Sequence, residues 1–417
     1  MSAGALAGPG SSDFTVSDRT GTAASAAGPS ALNVCMFTPS ACGGHAKYTQ
    51  ALLSAVAEAG TRLGVFPSLV TSEDLATEFR GPGYPVHRVL PRLAHRDEFP
   101  GTAAWALSRA SHYVRRERSF LDWLGGNPGV DIVHFQEYAA WLAPRHFRAL
   151  RRRGLRVVYT VHNIHEHRHI NRLDGALRPA CWRSAWRSCN LLLVHSGGLR
   201  DDLSRFLGPG HPEIRVTPHA VWDVAPRDPG DAPQGRGGWR ARLLFFGVVR
   251  KNKGLHVLLE ALQRLPDVHL TAAGAFEDAG YLDRVRALCD ELPPGQVELI
   301  NRVVPEPEVA CLFRGCDLVI LPYTSFASQS GVLMQALAYG RPVVSTDVGA
   351  LGECVRAWGV GEVVPPGDAE ALAAGVVAAL DPGRSRAAVE ATGRVRCGLS
   401  WAGMAEQTID AYRAVAS

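Results

Sequence analysis

The chain has 417 residues, of which 46 % are hydrophobic and 20 % are charged, as in a globular protein of about two domains. Its 44 Lys and Arg residues against 40 Asp and Glu residues leave a net charge of +4, too small to indicate a nucleic-acid partner. Nine scattered cysteines without a CxxC pair argue against a disulfide framework and a structural zinc site, and favour reduced thiols in the cytoplasm.

The first 30 residues are rich in Ala, Gly, Ser, Thr and Pro, do not resemble a signal peptide, and are predicted to be a disordered tail. Short apolar strands then alternate with helices, and no run of 18 apolar residues predicts a membrane span. The predicted strands are 32–37, 65–70, 131–135, 156–161 and 190–195, and the predicted helices are 45–60, 102–124 and 143–153. This alternation indicates a parallel sheet covered on both faces.

A Pro-, Gly- and Asp-rich stretch at 225–238 predicts an interdomain linker, and a second series of strands and helices follows it. The predicted strands are 242–248, 269–273, 297–300, 318–321 and 342–345, and the predicted helices are 254–264, 281–288, 307–314 and 331–338. We therefore expect domains over 31–222 and 241–398, a linker over 223–240, and a helix over 399–417 that packs back on the first domain. Two doubly wound domains place their ligand sites at a shared cleft.

Gly43 and Gly44 stand at the start of the first predicted helix, directly after the first strand. Lys47 and Tyr48 follow them in that helix. Glycines at a helix start let a ligand approach the backbone, and the free N–H groups there favour an anion. An ordinary tight turn between strand and helix explains the glycines equally well.

The stretch FGVVRKNKG at 246–254 stands at a second such turn. Arg250 and Lys253, three positions apart, can converge on one anion, and two cations at a helix start suit a diphosphate. A solvated basic turn is the alternative. It is disfavoured because two of the chain's three lysines, Lys251 and Lys253, lie here, while arginine supplies nearly all other cations.

Two further stretches carry polar residues at predicted strand ends. At 321–340 a strand runs through a small-residue loop into a helix that begins near Ser330, with Gln335 one turn inside it; a simple capped helix has the same pattern. At 160–169 four histidines follow a strand, without the spacing of an HExxH zinc motif. A polar substrate loop is favoured there over a metal site or a plain exposed loop.

Taken in order over residues 31–417, these stretches resemble retaining glycosyltransferases of family 4, which have the GT-B fold. The similar segments are GGHAKY at 43–48, DIVHF at 131–135, TVHN at 160–163, LLLVHS at 191–196, VTPHAV at 216–221, FFGVVRKNKGLHVLLEAL at 245–262, CDLVILPY at 316–323 and SGVLMQALAYGRPVVSTDVGALGECV at 330–355. The resemblance implies two Rossmann-like domains and transfer of a sugar from a nucleotide diphosphate sugar, with UDP or GDP as the nucleotide.

The resemblance also implies roles for single residues. His162 would contact the donor sugar at the reaction centre, and Arg250 and Lys253 would neutralise the departing diphosphate. The donor would further contact Gly43, Gly44, Gly247, Gln329, Ser330, Gly331, Val332 and Gln335. The acceptor side would include Lys47, Tyr48, His134, Asn163 and His165.

The sequence departs from the family pattern at three places. Val248 stands where arginine is common, Ala327 and Gln335 stand where the family has two glutamates, and His219 stands where asparagine is common. Without a DxD motif or a well-placed carboxylate nucleophile, we expect no metal and no cofactor. Positive charge would stabilise the leaving diphosphate while the acceptor attacks the same face.

Three alternatives are a sugar phosphorylase, a nucleotide-sugar epimerase and a ligand-binding relative without activity. The acceptor-side loops at 87–101 and 162–176 are rich in His, Arg, Asp and Glu, which suits a polar acceptor. Basic stretches at 115–118 and 145–153 allow weak peripheral contact with an anionic membrane, although a solvated helix face explains them better.

Overall fold

The computed structural model describes residues 31–39, 44–73, 83–92, 102–164, 172–224, 238–325 and 330–417. The predicted tail at 1–30 and most of the predicted linker lie outside these ranges. Residues 31–417 form one compact unit, built around two parallel sheets.

The first sheet has seven parallel strands in the order β3-β2-β1-β4-β5-β6-β7. Its strands are β1 (Leu32–Phe37), β2 (Val65–Ser72), β3 (Val86–Leu90), β4 (Ile132–Phe135), β5 (Arg156–Thr160), β6 (Leu191–Val194) and β7 (Glu213–Val216). Its helices are α1 (Gly44–Leu63), α2 (Thr102–Gly125), α3 (Ala143–Arg152), α4 (Arg172–Trp186) and α5 (Gly197–Leu207). We call this part of the chain the N lobe.

The second sheet has six parallel strands in the order β10-β9-β8-β11-β12-β13, and we call this part the C lobe. Its strands are β8 (Ala241–Phe246), β9 (Val268–Ala273), β10 (Val297–Ile300), β11 (Leu318–Leu321), β12 (Val343–Thr346) and β13 (Gly361–Val364). Its helices are α6 (Leu255–Leu262), α7 (Ala279–Asp290), α8 (Glu306–Gly315), α9 (Gly331–Ala338), α10 (Gly349–Trp358), α11 (Ala369–Ala379) and α12 (Pro382–Gly398).

The last helix, α13 (Trp401–Ala416), lies on the N lobe although it follows the C lobe in the chain. Its buried residues, among them Trp401, Ile409 and Tyr412, join the apolar core formed by α1, β1 and β2. Ser400 caps the helix by accepting a hydrogen bond from the Gly403 N–H. The C-terminal helix therefore forms part of the N-lobe core.

The predicted fold class, two doubly wound α/β domains, is confirmed, and three strands were missed. These are β3, β7 and β13, each of which lies at the edge of its sheet. Edge strands have one side open to solvent, and most residues of these three are only partly buried. Polar residues such as Arg88, Arg215 and Glu362 therefore interrupt the continuous apolar pattern that marked the central strands.

Candidate active site

The two strands at the centre of each sheet, β1 and β4 in the N lobe and β8 and β11 in the C lobe, are neighbours from which the chain order runs outward in opposite directions. The carboxyl end of a doubly wound sheet at such a switch point is the usual place for a ligand. The predicted site residues lie in the segments that follow these strands or the neighbouring strand β5, except His134, which lies within β4.

On the N-lobe side, histidines from four neighbouring strand ends surround Tyr48 of α1. The Tyr48 ring lies 4.9 Å from the His162 ring, 5.2 Å from the His195 ring and 5.1 Å from the His219 ring, between ring centres. His134 of β4 lies behind them and is fully buried. We call these four histidines the histidine cluster.

The ring nitrogens of the histidine cluster face protein groups. His162 Nδ1 lies 3.2 Å from His195 Nε2, and His162 Nε2 lies 3.3 Å from the Gln136 side-chain oxygen. His195 Nδ1 lies 2.9 Å from the Thr217 carbonyl oxygen. His162 is thus held by protein on both ring nitrogens, which leaves it less open to a ligand than a strand-end histidine in the sequence suggests.

Burial keeps the histidine cluster neutral. It lowers the pKa of His134 and His219 to about 3 and that of His195 to about 4. The pKa of His162 lies well below its usual value, first because of burial and then because His45, His195, His219 and His134 surround it. The N-lobe wall of the site is therefore uncharged at neutral pH.

One carboxylate stands beside this wall. Glu137 is the second residue after β4, and its Oε1 lies 3.2 Å from Nδ1 of His45, the second residue of α1. The His45 ring in turn lies 4.6 Å from the His162 ring, edge to face. Asn163, next in the chain to His162, has a buried side-chain oxygen without a hydrogen-bond partner among the described residues.

On the C-lobe side, the basic turn after β8 is held in place by backbone geometry. Gly254 has φ +71°, and a Cβ there would lie 1.8 Å from the Pro322 carbonyl oxygen, so only glycine fits. The Asn252 carbonyl oxygen accepts a hydrogen bond of 2.9 Å from the Thr324 N–H. The turn is thereby fixed against the segment that follows the neighbouring strand, β11.

The two predicted cations of this turn have different surroundings. Lys253 Nζ lies 3.8 Å above the ring of Tyr323, which is buried. Arg250 donates from Nε and Nη2 to both carboxylate oxygens of Glu277, at 2.9 and 2.7 Å. That fork leaves Arg250 Nη1 without a partner among the described residues, whereas Lys251 beside it is exposed.

The N-terminus of α9 lies next to this turn. Its capping residue Ser330 accepts from the Leu333 N–H, and the Ser330 hydroxyl lies 3.2 Å from the Tyr323 hydroxyl. A Cβ placed on Gly247 would lie 3.4 Å from Val332 Cγ2, so the end of β8 touches the first turn of α9. Gln335 is half-buried one turn further along.

Among the described residues, several contacts join the two lobes, including the following three. Lys47 of α1 forms an ion pair with Glu306 of α8. The Trp222 indole N–H donates to the Gly331 carbonyl oxygen at 3.3 Å. Glu353 of α10 lies at the start of α5, where a Cβ on Gly198 would be 2.4 Å from its carboxylate.

The structure thus groups the predicted residues into two sets. Tyr48, His134 and His162 lie together on the N-lobe wall, and Gly44 begins α1 there. On the other wall lie Gly247, Arg250, Lys253, Ser330, Gly331, Val332 and Gln335. Lys47 forms an ion pair with Glu306, and its acceptor-binding role stays a prediction. Gly43, His165, Ala327 and Gln329 lie outside the described residues.

Several residues of the site were missed in the sequence. His45, Gln136, His195 and Glu277 contact predicted residues directly, and Glu137 contacts His45. Gln136 and Glu137 follow the DIVHF strand, and His195 ends the LLLVH strand. Their position at the carboxyl ends of strands was the signal available. Glu277, 27 residues after Arg250, had no comparable signal.

Within the described ranges, no three His, Cys, Asp or Glu side chains are grouped as metal ligands. The histidines at 165, 167 and 169 lie outside those ranges. None of the described helices is long and apolar enough to cross a membrane. The cysteines of the described residues are free thiols.

Known proteins match both lobes. The family described as Glycosyltransferase Family 4 matches residues 42–222, and the family described as Glycosyl transferases group 1 matches residues 240–381. The chain is 28% identical to glycogen synthase of Mycobacterium tuberculosis over 410 residues, which cover 91% of this chain and 92% of that protein.

A second relative and a solved structure are also similar to this chain. D-inositol 3-phosphate glycosyltransferase 1 of Catenulispora acidiphila is 30% identical over 315 residues, covering 69% of this chain and 73% of that protein. The crystal structure of HepE from Anabaena in complex with UDP and glucose has a TM-score of 0.68 and 16% identity, covering 92% of this chain and all of that chain. The chain therefore belongs to the group 1, family 4 glycosyltransferases, and it has the GT-B fold.

Proposed function

We propose that the protein is a retaining hexosyltransferase that needs no metal and no further cofactor. It transfers a sugar from a UDP- or GDP-linked donor to a hydroxyl group of a polar acceptor, in the biosynthesis of a natural product or a cell-surface glycan. The observation that carries this proposal is the basic turn with Arg250 and Lys253, fixed beside the start of α9 at the switch point of the C-lobe sheet.

The donor diphosphate finds three kinds of positive group there. Lys253 provides a compact charge, Arg250 Nη1 provides two N–H bonds, and the first turn of α9 provides free backbone N–H groups. Together they stabilise the negative charge that develops on the leaving diphosphate. That HepE, a protein of the same fold, holds UDP and glucose supports a nucleotide sugar as donor.

The proposed reaction proceeds on one face of the sugar. The bond between the anomeric carbon and the diphosphate oxygen breaks, and both its electrons leave with the diphosphate. The acceptor oxygen forms the new bond from the same side, and its proton passes to the departing phosphate oxygen. Because the acceptor attacks the face from which the diphosphate leaves, the anomeric configuration is retained without a protein nucleophile.

A variant of Glu137 tests this mechanism directly, because Glu137 is the carboxylate that contacts His45, whose ring contacts the His162 ring. A double displacement needs a carboxylate nucleophile. If transfer occurs on one face, Glu137→Gln keeps measurable turnover and a product of unchanged anomeric configuration, as read by proton NMR. Complete loss of turnover, with a glycosylated enzyme trapped in the wild type, would contradict the one-face mechanism.

The activity itself is tested by a screen of UDP- and GDP-sugars with hydroxylated acceptors, in which nucleotide release and a glycosylated product are both measured. We expect product formation that persists in EDTA and does not need free phosphate. Release that depends on inorganic phosphate would indicate a phosphorylase instead. Nucleotide binding without any product across the screen would indicate a ligand-binding relative.

A further inference from the structure

A continuous series of buried polar groups links the last helix of the chain to His162. The Tyr412 hydroxyl of α13 lies 2.6 Å from His134 Nδ1, and His134 Nε2 lies 2.7 Å from Thr160 Oγ1 and 3.3 Å from the Gln136 amide nitrogen. The other atom of that amide lies 3.3 Å from His162 Nε2. Tyr412, His134, Gln136 and Thr160 are all at most 1 % exposed, so water does not compete for these contacts.

The hydrogen-bond acceptor at one end of the series determines which ring nitrogens of His195 and His162 carry protons. The Thr217 carbonyl oxygen can only accept, so His195 must carry its proton on Nδ1. A neutral His195 then has a lone pair on Nε2, and His162 must donate to it from Nδ1. A neutral His162 therefore presents a lone pair at Nε2, toward Gln136.

Gln136 must consequently turn its amide nitrogen toward His162. In the structure the amide oxygen faces His162, an arrangement that would require an extra proton on the His162–His195 pair. A half-turn of the amide exchanges the two atoms at almost no change in shape. The amide oxygen then accepts from His134 Nε2, and His134 Nδ1 accepts from the Tyr412 hydroxyl. All donors then point one way along the series.

We infer that Tyr412, Gln136 and His195 are positioning residues that hold His162 as a neutral ring with its proton on Nδ1. Tyr412 is the first donor, so the C-terminal helix supports this proton order from the end of the series opposite to Thr217. The role in catalysis rests on the proposed function, whereas the proton positions do not.

The consequence for transfer is electrostatic. The anomeric carbon gains positive charge as the diphosphate leaves, and a protonated His162 nearby would oppose that charge. The other groups that face His162 are His45 and Tyr48 from α1, His134 from β4, and His195 and His219 from the ends of β6 and β7. Glu137 faces it only through His45. No carboxylate among the described residues contacts the His162 ring directly, so nothing there stabilises an imidazolium and the ring stays neutral.

The proton positions are measured on the whole protein labelled with ¹⁵N-histidine. Long-range ¹H–¹⁵N correlation at pH 7.5 distinguishes the two neutral tautomers and the imidazolium form, and His162 and His195 are assigned from His-to-Gln variants. The expected result is a neutral ring protonated on Nδ1 for both residues. A His162 protonated on Nε2, or on both nitrogens, would overturn the inference even if the enzyme is active.

The catalytic consequence is measured with Tyr412→Phe, which keeps the ring and removes only the first donor. Thr408→Val is the matched control, because Thr408 is a buried residue of the same helix whose hydroxyl bonds within α13. We expect Tyr412→Phe to lower kcat about three- to tenfold with donor KM nearly unchanged. The acid limb of the kcat profile should move to higher pH, because His162 takes up a proton more easily.

Thr408→Val should change neither quantity. Equal kcat values and equal pH profiles for the two variants would overturn the positioning role of Tyr412. If the proposed transfer is not detected in the wild type at all, the proposed function fails. The NMR result still decides the proton positions.

Discussion

The two walls of the candidate site differ in charge: the N-lobe wall is neutral and the C-lobe wall is positive. The N-lobe wall consists of buried, hydrogen-bonded histidines that are neutral because burial lowers their pKa. The C-lobe wall carries lysine and arginine on a partly exposed turn, beside a helix N-terminus. Both walls stand at the carboxyl ends of parallel strands.

Under the proposed function, this difference lets one sheet architecture serve two chemical tasks. A departing diphosphate is stabilised by cations, which can remain partly hydrated on a turn. A sugar that becomes positively charged is better placed against an uncharged wall, and burial ensures that neutrality. The four predictions below test this contrast, beginning with the largest effect.

Acidification should destabilise the N-lobe wall most. A buried histidine with a lowered pKa stays neutral when folded but takes up a proton near its usual pKa when unfolded. Each such group therefore removes stability as pH falls, by about 1.4 kcal/mol for each pH unit below 6.5. For His134, His195 and His219 this loss continues to about pH 4. Denaturant unfolding at pH 7.5, 6.5 and 5.5 measures it.

The control for this prediction compares two histidine variants. His219→Gln removes one of the buried rings and should flatten the dependence of unfolding free energy on pH. His211→Gln, outside the histidine cluster, should leave the slope as in the wild type. Parallel slopes for both variants would contradict the assignment of the pH dependence to the cluster.

Removing the central cation of the C-lobe wall should mainly affect turnover. Lys253→Ala is expected to lower kcat/KM about 100- to 1,000-fold, because one electrostatic contact to the developing charge is lost. The melting temperature should change little, since Lys253 is only half-buried. Lys251→Ala, in the same turn but exposed, should cost less than about threefold. Equal rates for the wild type and Lys253→Ala would remove the assignment.

Removing the carboxylate that pairs with Arg250 should increase the positive charge of the C-lobe wall. Glu277 now holds Nε and Nη2 of Arg250. Glu277→Gln removes the competing negative charge, and we expect it to lower the donor KM about two- to fivefold. Steady-state kinetics at 50 mM and 500 mM salt measure this, with the larger effect at low salt. An increase in donor KM would show instead that Glu277 is needed to orient Arg250.

The ion pair between the lobes should matter least. Lys47 and Glu306 have side chains that are 49% and 65% exposed, so their attraction is worth less than about 1 kcal/mol. Lys47→Ala should change kcat and donor KM by less than about threefold. A far larger rise in the acceptor KM would support the acceptor-binding role that the sequence predicted for Lys47.

The sequence predicted the central strands, the two-lobed fold and the turns that carry the site, because buried parallel strands leave continuous apolar runs. Edge strands such as β3 and β13 were not predicted, because half-exposed residues interrupt those apolar runs. Within the candidate site, sequence motifs predicted His162, Arg250 and Lys253 but not the residues that contact them. Tyr412, 250 residues after His162, reaches the site only because α13 packs on the N lobe. Such contacts depend on tertiary packing.

The contrast between the two walls is tested most directly by calorimetric titration of UDP and GDP into the wild type, Lys253→Ala and His162→Asn. We expect one of these nucleotides to bind the wild type. Lys253→Ala should weaken that binding at least about 30-fold, whereas His162→Asn should change it less than about threefold. Nucleotide binding that survives Lys253→Ala and is lost in His162→Asn would contradict the assignment of the diphosphate to the C-lobe wall.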